Sequence, residues 1–184
     1  ESITLNNNSQ DETRIWTSLA YKIYELANYP APKSNLANVT INNEELGVYT
    51  HLEPIDKKFL QRTFGNSSGH LYEGQIIDFE EEWLPRWTAK TANTNQVGLP
   101  IIDIAEDLDL PDDQLLNALE QHLNIDRFIT YWALEALLAL DDGYSSNRNN
   151  FFIYFDPNDG GRVTFIPWGL DYHGENTPSL ENFV

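Results

Sequence analysis

The run that decides the fold is Leu140–Asp141–Asp142–Gly143–Tyr144–Ser145–Ser146–Asn147–Arg148–Asn149–Asn150, followed by Phe151–Phe152–Ile153–Tyr154–Phe155. After it come Asp156–Pro157–Asn158–Asp159–Gly160–Gly161, Arg162–Val163–Thr164–Phe165–Ile166–Pro167 and Trp168–Gly169–Leu170–Asp171–Tyr172–His173–Gly174. It reads as a helix end, a polar loop with asparagines, and a hairpin whose far end delivers another Asp. Asp positions and an Asn at the two ends of a hairpin are hard oxygen ligands for a divalent cation. A carboxylate left over can act as a base. Asp141 and Asp142 also break a local rule, because anions are disfavoured where helix carbonyls point outward. Such breaks concentrate at functional sites. The plainer reading is a solvated Asp-Asp-Gly turn.

The surrounding 184 residues are consistent with one domain or a large part of one. Their net charge of −18, from 29 acidic and 11 basic residues, argues against nucleic-acid binding and against anionic membrane surfaces. The chain has no Cys, which removes disulfides and thiolate chemistry. No apolar run approaches the ~18 residues of a membrane span, and no signal peptide is visible. The chain starts on Glu1 with a strand-like Ile3–Thr4–Leu5, which suggests a fragment or a processed form.

Upstream of the decisive run, Ser9–Gln10–Asp11–Glu12 fits a capping box. Ile15, Leu19, Ile23, Leu26 and Ala27 then recur at helical spacing, and Pro30 ends the helix. Val39–Ile41 and Leu46–Leu52 read as paired strands around Asn42–Asn43. Asp56 to Phe64 is a short helix closed by Gly65. Residues 65 to 111 read as irregular. Asp112 opens one helix, and a second over residues 126–140 is expected to be a buried spine with Phe128, Ile129, Trp132, Ala136, Leu137 and Leu140 inward. Trp132, Phe165 and Trp168 are read as core. The four histidines lack zinc spacing. Asp156–Gly161 is a hairpin turn, lacking the later bidentate Glu of a calcium loop. His173 reads as a surface residue. The class expected is α+β, with 151–155 and 163–167 pairing antiparallel.

The segments Asp142–Gly143–Tyr144, Asn149–Asn150–Phe151, Asp156–Pro157, Phe165–Ile166–Pro167–Trp168 and Asp171 resemble the catalytic segment of the CotH kinase family, the spore-coat protein H group. Leu5–Asn6–Asn7, Pro30–Ala31–Pro32, Gly47–Val48–Tyr49 and Glu53, Asp56–Lys57–Lys58–Phe59–Leu60 and Leu71–Tyr72 extend the resemblance in order along nearly the whole chain. It implies a divergent protein-kinase-like fold lacking its first strands. Residues 1–64 would be the remainder of the smaller lobe and the connector. Residues 65–184 would be a mostly helical lobe with the catalytic loop and a metal-binding hairpin. It implies an atypical serine/threonine kinase that uses ATP with Mg2+ or Mn2+, acts on a protein substrate, and resides outside the cell, on its surface or in a spore coat. Asp142 is then the catalytic base, and Asn150 and Asp171 the metal ligands. Tyr49 and Glu53 meet the nucleotide at the connector.

The resemblance has departures. The family pattern Pro-Trp-Asp is here Pro167–Trp168–Gly169, with Asp171 the nearest carboxylate. Leu-Tyr-Lys is here Leu71–Tyr72–Glu73, which leaves Lys90 as the candidate phosphate lysine. A non-catalytic pseudokinase or surface adhesion module is the alternative.

Overall fold

A computed structural model describes residues 3–91 and 99–172. The chain is α+β, with two antiparallel sheets. The first sheet joins β1 (Thr4–Asn6), β3 (Glu44–Leu52) and β2 (Ser34–Ile41) in the order β1-β3-β2. Asn42 and Asn43 make its two-residue turn, with φ of 51° and 67°. Both lie in the left-handed region, as the tight hairpin turn with matching twist requires, and Asn tolerates it best after Gly.

The second sheet carries the decisive run. Its order is β5-β4-β6-β7, with β4 (Leu71–Gly74), β5 (Thr88–Ala89), β6 (Phe151–Phe155) and β7 (Val163–Pro167). Strands β6 and β7 pair antiparallel from Phe151 opposite Pro167 to Phe155 opposite Val163. Every residue of both strands is buried. That explains the unbroken apolar runs, because a sheet covered on both faces shows no alternation. One face packs Phe152, Tyr154 and Ile166 against Phe59, Leu60 and Phe64 of α2 (Lys57–Phe64). The other packs Phe151, Ile153 and Phe165 against Tyr131 and Leu134 of α5 (Ile125–Leu137) and Tyr21 and Tyr24 of α1 (Trp16–Leu26). Each such side chain contributes roughly 1.5–3 kcal/mol by leaving water. Gly74 lets β4 approach, since a Cβ there would run into the Phe151 ring.

Local signals set the ends of α2. The Asp56 carboxylate accepts from the backbone N of Lys58 and Phe59, at 2.8 and 3.2 Å, and Gly65 closes the helix at φ 72°. Several expectations are corrected. The first helix starts at Trp16, not after Ser9. Buried Asp11 accepts from Thr13 N, Thr13 Oγ1 and Trp16 N and so organises the turn before it. Burial pushes the Asp11 carboxyl up, but these hydrogen bonds outweigh it and hold the group below its ordinary value.

The buried face of α1 is Thr17, Ala20, Tyr21 and Tyr24, while Ile15, Leu19 and Leu26 are exposed. Aromatic rings reach further into the large core than aliphatic ones, so the tyrosine stripe wins. In α5 the inward residues are Tyr131, Leu134 and Glu135; Ile129, Trp132, Ala136 and Leu137 are exposed. The apolar residues of α5 spread over more than one face, and only the distant core selects Tyr131 and Leu134. Phe165 is core, and Leu140 is buried beyond the end of α5. Trp168 is half-buried, edge-on to Phe152 with centroids 5.6 Å apart. The stretch read as irregular contains β4, β5, a 3-10 turn over Glu81–Arg86 and α3 (Leu99–Asp107), ahead of α4 (Asp112–His122). Among the described residues no helix is long and apolar enough to cross a membrane. His173 lies outside them.

Candidate functional site

The loop between α5 and β6 is built on a tight reversal. Leu138 ends the helix, Ala139 takes φ 49°, and Gly143 N donates to Leu140 O at 3.1 Å. The one-turn helix α6 (Tyr144–Asn147) follows, then Arg148 at φ 52° and Asn150 at φ 53°. Left-handed backbone at Ala139 and Arg148 costs of order 1–2 kcal/mol each. Strain of this kind clusters where surrounding contacts over-determine a loop for function.

Those contacts converge on two carboxylates. Asp142 accepts from Asn147 Nδ2 at 2.5 Å, from Asn149 Nδ2 at 3.1 and 3.2 Å on its two oxygens, and from Asn150 Nδ2 at 2.7 Å. Asn150 Nδ2 also donates to the Asp142 carbonyl at 3.1 Å. Three amides therefore fix the rotamer of one carboxylate. The amide nitrogen of Asn150 is committed to Asp142, so its Oδ1 is turned the other way, toward Gly169.

The second carboxylate is Glu135, which sequence reasoning missed. It is 1% exposed. It accepts from the Tyr131 hydroxyl, from Tyr144 N at 3.1 Å and from Ser145 N at 2.8 Å, and so pins α6 to α5. Burial pushes its carboxyl above the ordinary value, and these hydrogen bonds offset only part of that. The signal in the sequence was a lone acid inside Trp132–Ala133–Leu134–Glu135–Ala136–Leu137, four residues after Tyr131. Asp78 adds a latch from outside, accepting from Tyr144 OH at 3.0 Å and pairing with Arg148 at 2.7 Å.

Asn150 closes the hairpin, its carbonyl accepting from Trp168 N at 3.1 Å. Gly169 follows at φ 58°, and a Cβ on it would lie 2.7 Å from Asn150 Cγ and 2.8 Å from Oδ1. A glycine is therefore required here for two reasons, conformation and space. Gly169→Ala is expected to displace the Asn150 amide from its hydrogen bonds to Asp142 and to lower the melting temperature by several degrees. A melting curve checks this; an unchanged midpoint would show that the close approach is not required.

Beyond Gly169 a cleft of about 480 Å³ opens between the two sheets, lined by Asn6, Tyr49, Leu52, Trp168, Gly169 and Asp171 among others. Asp171 is half-buried, and none of the described cations pairs with it. It raises the Tyr21 hydroxyl, which burial already pushes far up.

The loop thus brings Asp142 and Asn150 into direct contact, and the cleft brings Tyr49 and Asp171 to shared walls. Glu53 and Lys90 do not line that cleft. Glu53 is forked by Arg62, at 2.8 and 2.6 Å, and accepts from Lys33 N at 3.0 Å. Lys90 pairs with Glu73 on β4. The Asp156–Gly161 turn is closed by Asp156 accepting from Asn158 N at 2.9 Å.

Among the described residues no group of three or more His, Cys, Asp or Glu side chains converges. Asn150 Oδ1 meets Gly169, and Asp171 lines the cleft that Gly169 also lines, so the candidate donors are one amide oxygen and one carboxylate. That fits Mg2+ or Mn2+ bound partly through phosphate oxygens and water, since Mg2+ commonly takes only one or two protein carboxylates.

The family model described as CotH kinase protein matches residues 1–177. Invasin CotH3 of Rhizopus delemar is 25% identical over 183 residues, covering 91% of this chain and 30% of that protein. Invasin CotH7 of the same fungus is 22% identical over 189 residues, covering 96% of this chain and 31% of that protein. The chain spans less than a third of the length of these curated relatives. It belongs to the CotH kinase protein family.

Proposed function

We propose that this chain carries the reaction centre of an atypical protein kinase, transferring the γ-phosphoryl group of ATP to serine or threonine hydroxyls of a protein. The observation that carries the reading is the Asp142 carboxylate held by three amides, one of which, Asn150, turns its oxygen toward Gly169. Phosphoryl transfer needs positioning and charge neutralisation more than covalent chemistry. The three-stranded sheet with α1 would form the nucleotide side of a divergent protein-kinase-like fold, and the second sheet with its helices the catalytic side.

Asn150 Oδ1 and Asp171 would hold Mg2+ or Mn2+, which when bound supplies positive charge against the phosphates. Tyr49, on the cleft wall, would contact the nucleotide. Asp142 would accept the hydroxyl proton as the substrate oxygen bonds to the γ-phosphorus; the bond to the β,γ-bridging oxygen breaks and ADP leaves. Without a cation, the 29 acidic residues would repel the polyphosphate. Lys90 and Glu53 would act at longer range, through Glu73 and Arg62, in ordering strand ends.

A second reading has its own support. Gly169 replaces an Asp of the family pattern, Lys90 is engaged by Glu73, and the two fungal relatives are named invasins. On that reading the fold is a non-catalytic surface-binding module. Thermal melting separates the two. ATP with Mg2+ or Mn2+ at about 100 times its dissociation constant is expected to stabilise the protein by about 2.7 kcal/mol. ATP or metal alone should give much less, and Asp171→Ala should remove most of the gain. No shift with any nucleotide-metal pair would favour the binding module. Surface or spore-coat residence is part of the proposal and is checked by labelling intact cells.

A further inference from the structure

A larger cleft, about 960 Å³, lies away from the site described, between α1, the Pro30–Pro32 crossing, the start of β2, α2 and the first turn of α5. None of its lining residues lines the Asp171 cleft. Arg127 marks its floor at the beginning of α5, whereas Asp142 follows the end of that helix. The ten residue steps from Arg127 to Leu137 span about 15 Å at the helical rise.

Two features of this cleft bear on what it could hold. First, its charge is reversed. In a chain of net charge −18, four cations line it, Lys22, Lys33, Arg62 and Arg127, against the carboxylates of Glu25 and Asp126. Lys22 is spent on Glu25 at 2.6 Å and Arg62 on Glu53. Lys33 has no ion-pair partner among the described residues, and the Arg127 contact is to a neutral group, the Thr164 hydroxyl at 3.2 Å. Second, β2 is an edge strand of its sheet, and its first residues Ser34, Asn35 and Leu36 line the cleft. The outward backbone groups of an edge strand lie outside the sheet ladder; of those here, Leu36 N is met by Asn35 Oδ1 at 2.9 Å.

We propose that this cleft docks an extended acidic peptide segment. Lys33 and Arg127 would take its carboxylates, and the β2 edge would pair with its backbone. Edge pairing supplies affinity and the charges supply selectivity in this mode of recognition. A compact anion would use the charges but leave the strand edge idle. The inference stands on the cleft alone and holds whether or not the distant loop transfers phosphate.

The test is fluorescence anisotropy with a labelled Asp/Glu-rich peptide of about ten residues, its Asn/Gln counterpart, and inorganic phosphate as competitor. The acidic peptide is expected to saturate below about 1 mM and to weaken with added salt. The neutral peptide should bind at least tenfold more weakly, since 1.4 kcal/mol is a factor of ten. Lys33→Glu lies on an exposed side chain and leaves the fold intact. It is expected to weaken the acidic peptide roughly tenfold, and Lys33→Glu with Arg127→Gln further. Lys57→Glu, the same charge change on exposed α2 surface outside the cleft, should change it less than about twofold. Equal binding of the neutral peptide, an equal loss in Lys57→Glu, or displacement by phosphate at equal concentration would each overturn the proposal. The first two outcomes mean no charge-selective peptide site, and the last a small-anion site instead.

Discussion

Asp142→Ala is expected to lower transfer of label from γ-labelled ATP to a serine- and threonine-containing acceptor protein by about 10²–10⁴-fold, the usual contribution of a positioned general base. Among the neighbours only Asp141 is another carboxylate. Asn147, Asn149 and Asn150 present amides, and Ser145 and Ser146 are not bases at neutral pH. The same change removes the acceptor of three amides in a partly exposed loop, so stability should fall by about 1–3 kcal/mol. Nucleotide and metal binding should survive better than turnover, because Asp171 remains. Asp141 is exposed and serves as the control, with Asp141→Ala expected to keep activity within about twofold. A folded Asp142→Ala protein that transfers label at the original rate would remove Asp142 from the mechanism and with it most of the case for catalysis.

Glu135→Ala should have the largest effect on stability. It orphans three donors, the buried Tyr131 OH and the partly buried Tyr144 N and Ser145 N, and leaves a cavity beneath the loop. The expected loss is about 3–5 kcal/mol, read as a fall in melting temperature or denaturant midpoint. Activity should fall with it, since α6 and the Asp142 loop are tethered through this carboxylate.

The pH dependence has a definite sign. The folded-state carboxyl titrates above its unfolded value of 4.5, so its protonated form favours folding. That contribution is complete below the unfolded value and is lost as pH rises through the folded one. Glu135→Gln cannot titrate, so the stability gap between it and the original protein should narrow from pH 4 to pH 8. A gap that widens over that range would mean the carboxylate is held as a stabilised anion.

Local chemistry made part of this legible beforehand. Asn42–Asn43, the Asp56 and Gly65 caps of α2 and the β6–β7 pairing all follow from neighbours a few residues apart, and the structure has each of them. Asp142 and Asn150 meet because the loop joining them is short. What escaped depends on partners far along the chain. Strand β4 is only four residues and is held by β6. The inner face of α1 was misread because both its faces carry large apolar residues, and only the distant core selects the tyrosines. Trp132 was misread for the same reason on α5. Glu135 and the Gly169–Asn150 approach are tertiary contacts with no periodic trace.

The place of β6 has a consequence in time. It is paired on both edges and covered on both faces, so its amides can exchange with solvent only when the domain opens globally. Its partner β4 is recruited from far away: Gly69 N meets Tyr154 OH across 85 positions. The β2–β3 hairpin closes through a two-residue turn and can form while the chain is still emerging from the ribosome. The sheet beneath the Asp142 loop must wait until β7 has been made, because long-range pairing is slow to close. The loop proposed for catalysis therefore gains its floor only after the β2–β3 hairpin has been able to close.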